Sequence, residues 1–508
     1  MKIDKRSILI FIGFFIFISL FTCTREKFSE SQLVHYLDSQ EAIFEQISVS
    51  MGEEYWKLYT EEGKADLEGP KQQFATLFRN ETLNSTVNTW YSRREKIKDH
   101  TLKRRVEIWH NILTGAKVNL GEEVLSLTNQ LEAWLAVGAD SKDKPSPEEQ
   151  EAAALKLMKL RNKKALELGF VNYAEMILEI TELGSEWFHS FVEAIDESTL
   201  IPYQKLLEKM KVEQNKTDLG IADVRKLMFQ YSMLSRGSQI TKERMSPLMR
   251  ETVENIGIPF DTLPLQFEER KMPSGIGGQG FALHIPKDFR AVVTPKLPFG
   301  SRLHELGHGL QWMFTTVESP ILKGYEWSLG NDCGAFAEGM AETIARFSQN
   351  PEWLKKYTDL SEEEHLDNKV KIRSLAPAYF RFLMNIFMFE VEFYKDLDQN
   401  PEELAHRLQK KYLLIEESSK MPMSLANMIY VSYPLYVQNY LIGDIVSWQV
   451  HNALEEKFEK DYAFNKEVGP YLRETLWKDG ELSNWQIRLK TATGRELDIE
   501  GYLKSLGL

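Results

Sequence analysis

The chain has 508 residues, 43% hydrophobic and 27% charged, with a net charge of −13 from 62 basic and 75 acidic side chains. These proportions are those of a globular protein large enough to enclose a cleft, and they exclude a collagen, a disordered chain and a polytopic membrane protein. The acidic balance argues against a nucleic-acid partner, which calls for a basic face.

At the N-terminus, Lys2, Lys5 and Arg6 precede an apolar run from Ile8 to Phe21, the order of a secretory signal. The run is shorter than the roughly 20 residues that a spanning helix needs. Cys23 follows Leu20-Phe21-Thr22 and predicts a lipoprotein-type signal over 1–22, with Cys23 the lipidated first residue of a mature domain, 23–508. Ordinary cleavage and a short uncleaved anchor are the alternatives. The protein is therefore expected to be exported: held on a membrane by its lipid, or else periplasmic or secreted. If Cys23 carries lipid, Cys333 has no cysteine to pair with.

Most of the remainder reads as amphipathic helix. Leu125, Leu127, Leu131 and Leu135 recur near a helical period around Trp134. Residues 140–147 form a polar linker. Ser146, Pro147 and Glu149 form a capping box with proline at the first helical position, so a helix is predicted from Pro147 to Leu168, ended by Gly169. The exception to helix lies at 281–294, where Phe281, Leu283 and Ile285 alternate with Ala282 and His284 before Pro286, and Arg290–Thr294 forms a second strand. This predicts a hairpin. The glycines at 275–280 lack the spacing and context of a phosphate cradle. The expected fold is mainly α: a helical shell with a small β-hairpin as one wall of a cleft. No long heptad array suggests a coiled coil; the oligomeric state is otherwise silent in the sequence, with a monomer the working expectation.

Directly after the hairpin comes His304-Glu305-Leu-Gly-His308, an H-E-x-x-H motif. Histidines four apart on a helix share a face and can reach one zinc ion, while the glutamate between them can take a proton from a water on the metal. A third ligand from a later helix is needed. Gln311 and Phe314 stand where one zincin type has glycine and histidine, which excludes that type. Glu338 and Glu342 lie four apart in an otherwise apolar segment, an arrangement that is expensive without positive charge nearby. Glu338 is assigned as the third ligand and Glu342 as the acceptor that orients a ligand histidine. One Zn²⁺ per chain is expected. The bland alternative is a helix edge with idle polar side chains.

These motifs resemble the gluzincin oligopeptidases, the broad group of thimet oligopeptidase and angiotensin-converting enzyme. The resemblance rests on His304-Glu-Leu-Gly-His308-Gly, on Phe336-Ala-Glu338, on the segment Arg161-Asn162, Ala165, Leu168-Gly169-Phe170 and Asn172-Tyr173, and on Tyr433-Pro-Leu-Tyr436-Val-Gln-Asn-Tyr440-Leu-Ile-Gly443. It spans about residues 161 to 452. It implies a nearly all-helical shell in two lobes, split by a deep channel with zinc at its floor, and short peptides as substrates. Phenols can stabilise the oxyanion of peptide hydrolysis. By similarity Tyr440 is the first choice and Tyr433 the second, with Tyr436 a substrate contact. Tyr433 and Tyr440 are expected on one face of a helix begun at Pro434. Core filling is the alternative for all three.

Two departures stand out. The family's histidine before the tyrosines is absent from Ser424–Tyr430, where Asn427 and Tyr430 are the candidate substitutes. The lysine with which dipeptide-releasing members hold the substrate carboxylate is absent as well. The interval from His308 to Glu338 also implies a loop insertion at Thr315–Gly330. The leading expectation is a zinc metallopeptidase with Glu305 as general base and the strand at Phe281–Ile285, through Ala282 and His284, contacting extended peptide. A surface lipoprotein that binds peptides without cleaving them, and a zinc hydrolase of a non-peptide substrate, are the competing readings.

Overall fold

The computed structural model describes residues 29–61, 65–136, 144–237, 239–272, 277–331, 333–416 and 421–508. The signal segment and Cys23 lie outside them, as does part of the linker at 140–147. No described helix is long and apolar enough to cross a membrane.

The fold is mainly α with one small sheet. The first long helix, α1 (Glu30–Thr60), opens on a capping box made by Ser29 and Gln32. Helices α2 (His100–Asn119) and α3 (Glu122–Ala136) follow, and α3 buries Leu125, Leu127 and Leu131 of the predicted stripe. Helix α4 (Pro147–Glu167) starts as its sequence dictates. The Ser146 hydroxyl accepts the Glu149 N–H at 3.2 Å, and the Glu149 carboxylate accepts the Ser146 N–H at 2.9 Å. Gly169, at φ 92°, takes the left-handed turn that ends it. Helices α5 (Tyr173–Ile180) and α6 (Ile221–Ser235) lead towards the sheet.

The predicted hairpin is present as β2 (Gly278–His284) and β3 (Asp288–Val293), antiparallel, with an irregularity between Ala282 and His284. Two features differ from expectation. A further strand, β1 (Leu265–Glu269), pairs in parallel with β3 and gives the order β1-β3-β2. Strand β2 also begins three residues early, with Gly278 and Gly280 opposite Val293 and Ala291. Low strand propensity is overridden here by pairing to a buried partner strand.

Next comes α7 (Phe299–Met313), the H-E-x-x-H helix, packed between β2–β3 and α8 (Gly334–Arg346). Leu303, Leu306 and Leu310 are fully buried, at about 2 kcal/mol of apolar transfer each. Helix α8 packs in turn on α11 (Gln438–Phe458), after the long α9 (Glu362–Phe393) and the short α10 (Met428–Ser432). Glycine permits these approaches. A Cβ at Gly307 would fall 2.7 Å from the Ala341 backbone, and one at Gly443 would fall 2.8 Å from the Gly339 nitrogen.

The expected single helix through Tyr433–Gly443 is not formed. Helix α10 stops at Ser432, and α11 starts only at Gln438. Between them Leu435 takes φ 56°. Pro434 therefore sits in a turn, because its ring lacks an N–H to continue α10.

Candidate active site

The three side chains singled out as ligands converge. Donor atoms of His304, His308 and Glu338 lie within 4.8 Å of one another. Glu338 Oε2 is buried with no well-formed hydrogen bond, 3.2 Å from His304 Nε2 and 3.9 Å from His308 Nε2. An orphaned carboxylate oxygen facing two imidazole nitrogens is the donor set that a divalent metal would complete. Four apart on α7, the histidines come from one helical face. Glu338 comes from α8, which the Gly307–Ala341 contact brings close.

Glu342 lies one turn further along α8. Its Oε1 is 2.9 Å from His304 Nδ1, and both its oxygens accept from the Arg236 guanidinium, at 2.5 and 2.8 Å. Arg236 directly follows α6 and was not found by sequence reasoning, since the 106 residues that separate it from Glu342 carry no local signal. Burial opposes the Glu342 charge, but Arg236 and His304 outweigh it and hold the carboxyl well below its usual range. Burial also opposes a charge on His304, yet Glu338 and Glu342 raise its pKa to about 10, whereas burial lowers that of His308 to about 4. Glu338 and Glu342, both within 3.2 Å of the His304 ring nitrogens, make its surroundings favourable to positive charge, whether carried by a proton or by a metal cation.

Glu305 points from α7 towards the start of β2. A Cβ at Gly278 would come within 2.7 Å of its Oε1, so glycine there leaves the carboxylate its place. Burial pushes its pKa up to about 7, against the pull of His304. That is the range in which a carboxylate both takes and returns a proton near neutral pH.

These groups lie in a cleft of about 330 Å³, walled by Gly278, Gln279 and Gly280 of the edge strand, by Glu326–Gly330 of the expected insertion and by the tyrosine turn. Trp327 of that segment stacks on Tyr55 of α1 at 5.0 Å. The substrate contacts expected at Ala282 and His284 are not part of this wall. Ala282 is fully buried in the core, and His284 sits at the far, irregular end of β2 opposite Asp288. The early start of β2 moves the cleft-facing stretch to Gly278–Gly280, ahead of the predicted strand at Phe281–Ile285.

The tyrosines form a ladder, with ring centres 6.0 Å apart from Tyr433 to Tyr436 and 5.6 Å from Tyr436 to Tyr440. They do not share one helix face. Tyr440 is 37% exposed at the junction of two cavities, and desolvation of its phenol together with the neighbouring Glu338 and Glu305 carboxylates raises its pKa. Tyr433 is grouped instead with Tyr55, Tyr59, Glu326 and Glu132 along the wall. Tyr436, expected to touch substrate, donates its hydroxyl to Glu338 Oε1 at 2.5 Å. Neither candidate for the absent histidine reaches the cleft. The Tyr430 hydroxyl is buried against the Ile386 carbonyl, and Asn427 caps α10. A second cavity of about 650 Å³ lies beyond Tyr440, Glu342 and Arg236, which line it.

No family model matches the sequence. No curated protein matches it either. Solved structures do match in fold. The Pyrococcus furiosus carboxypeptidase superposes with a TM-score of 0.65 at 15% identity, covering 95% of this chain and 99% of its own. The M32 carboxypeptidase from Deinococcus radiodurans R1 gives 0.61 at 15%, covering 93% and 98%. Trypanosoma cruzi metallocarboxypeptidase 1 gives 0.62 at 13%, covering 94% and 99%. The chain therefore has the fold of these carboxypeptidases across nearly its whole length.

Proposed function

We propose that the protein is a zinc-dependent metallopeptidase acting on short peptides. The observation that carries this reading is the convergence of His304, His308 and Glu338 beside a buried Glu305 at the floor of a cleft. The names of the structures sharing the fold, carboxypeptidases and a metallocarboxypeptidase, favour release from the substrate's carboxyl end over internal cleavage.

When bound, zinc supplies Lewis acidity and lowers the pKa of a water towards neutrality. Glu305 takes the proton of the attacking water on its carboxylate and passes it to the leaving amine. Tyr440 donates its phenolic hydrogen to the oxygen on which negative charge develops. The edge strand β2 offers extended peptide backbone a partner at Gly278–Gly280, which gives binding with little sequence demand. Glu342, braced by Arg236, keeps the His304 ring oriented. Export with a lipid on Cys23 places this chemistry outside the cytoplasm.

A peptide-library digest read by mass spectrometry tests the proposal, run with zinc, with a chelator, and with Glu305→Gln. The expected result is chelator-sensitive cleavage that the variant lacks although it retains zinc, with products one or two residues shorter at the carboxyl end. Internal cuts would replace the carboxypeptidase reading by an endopeptidase. Zinc binding without cleavage would favour the peptide-binding lipoprotein, a reading supported by the absence of a histidine at the tyrosine turn.

A further inference from the structure

The segment Arg161-Asn162 to Asn172-Tyr173 takes no part in the cleft chemistry described above. Arg161, on α4, is buried, and its guanidinium donates to the carbonyls of Tyr430 at 2.9 Å and Val431 at 2.7 Å. Both belong to α10, a five-residue helix too short to pair them internally. From the other side, buried Glu390 of α9 accepts the Leu435 N–H at 2.9 Å. Leu435 is the residue at φ 56°, a region that side chains rarely adopt. The Gln438 side chain donates to its carbonyl. The seat of Arg161 is itself fixed. Asn162 accepts the Tyr173 N–H at 2.8 Å, the Tyr173 hydroxyl donates to Asn119 of α2 at 2.7 Å, and the guanidinium lies 5.6 Å from the Tyr173 ring centre.

A buried guanidinium and a buried carboxyl are costly to desolvate, and apolar side chains would fill the same space with less penalty. An apolar pair cannot, however, hold backbone polar groups of a turn in an unfavourable conformation. The turn so held carries Tyr433 before Leu435 and Tyr436 directly after it, with Tyr440 one helical turn further on.

We propose that Arg161 and Glu390 are positioning residues that set the tyrosine turn over Glu338 and the cleft. The catalytic readout of this assignment rests on the peptidase reading, and its structural readout does not. The test uses the zinc-loaded chain with Arg161→Lys, Glu390→Met and Glu390→Gln. Glutamine keeps an acceptor for Leu435, and lysine keeps the charge but cannot span two carbonyls. Hydrogen exchange across 428–440 is expected to quicken at least tenfold in Glu390→Met, less in Arg161→Lys and little in Glu390→Gln, with the rest of the chain unchanged. In turnover, kcat should fall at least tenfold in Glu390→Met at similar KM, and the same change made in Tyr440→Phe should add less than twofold. Unchanged exchange at 428–440, exchange quickened throughout the chain, or losses that multiply with Tyr440→Phe would overturn the assignment. If the parent protein cleaves no peptide, local exchange alone decides: a change confined to 428–440 upholds the positioning role while the peptidase reading falls.

Discussion

Replacing Tyr436 by phenylalanine removes one oxygen and little else. That oxygen donates to Glu338 Oε1 at 2.5 Å, the length of a charge-assisted O–H···O⁻ bond. Glu338 is 2% exposed, so no water can replace the lost donor without rearrangement. Hydrogen bonds to charged groups contribute about 1.5–3 kcal/mol. If Tyr436 orients and stabilises a ligand carboxylate, zinc affinity should fall about 10- to 100-fold in Tyr436→Phe. Competition with a chromophoric chelator near neutral pH measures this directly, without turnover. Tyr433→Phe is the control, since its neighbours are Tyr55, Tyr59, Glu326 and Glu132. Zinc affinity within about threefold of the parent, together with a raised KM, would refute the argument and return Tyr436 to the substrate-contact role first expected of it.

Arg236→Met strands a buried carboxylate at Glu342 and should lower the stability of the metal-free protein by on the order of 3 kcal/mol in urea unfolding, with part regained in the double variant Arg236→Met/Glu342→Gln. Glu390 tests the pH dependence of folding. Burial raises its carboxyl from 4.5 to about 8, so between those values the unfolded chain ionises and the folded one does not. Stability is then fully retained below the lower value and lost as pH rises towards the upper one, by about 1.4 kcal/mol per pH unit. The gap in unfolding free energy between Glu390→Gln and the parent should shift in the variant's favour by on the order of 3–4 kcal/mol from about pH 5 to 8, and parallel curves would contradict it. Gly307→Ala places a methyl carbon 2.7 Å from the Ala341 backbone. It should cost about 1–3 kcal/mol of stability and weaken zinc binding by separating α7 from α8.

What could be read before folding was local. Ser146, Pro147 and Glu149 announce α4 because a capping box is made within four residues. His304, Glu305 and His308 were legible because one helical turn places them, and Glu338 because a carboxylate in an apolar helix calls for a partner. Long-range pairing stayed hidden. Arg236 meets Glu342 across the chain, and β1 joins the sheet in parallel through β3, with no turn signal to mark it. The start of β2 at Gly278 has no strand signal because glycine favours loops, whereas here it clears space for Glu305. The break after Ser432 was missed because helical spacing of tyrosines suggests continuity, and only the hold on Leu435 from Glu390 shows why the chain turns there.

The glycine contacts that join α7, α8 and α11 have a consequence for how a metal would be taken up under the proposed metallopeptidase reading. Helices whose backbones touch cannot be drawn together by side-chain rearrangement, so the spacing of the backbone positions that carry the three donors belongs to the folded scaffold itself. Loading and stripping the ion thereby become events of access and ligand exchange, separate from folding, unlike small zinc domains that collapse only around their metal. On that reading, uptake of zinc calls for ligand side chains to adjust but for no refolding step.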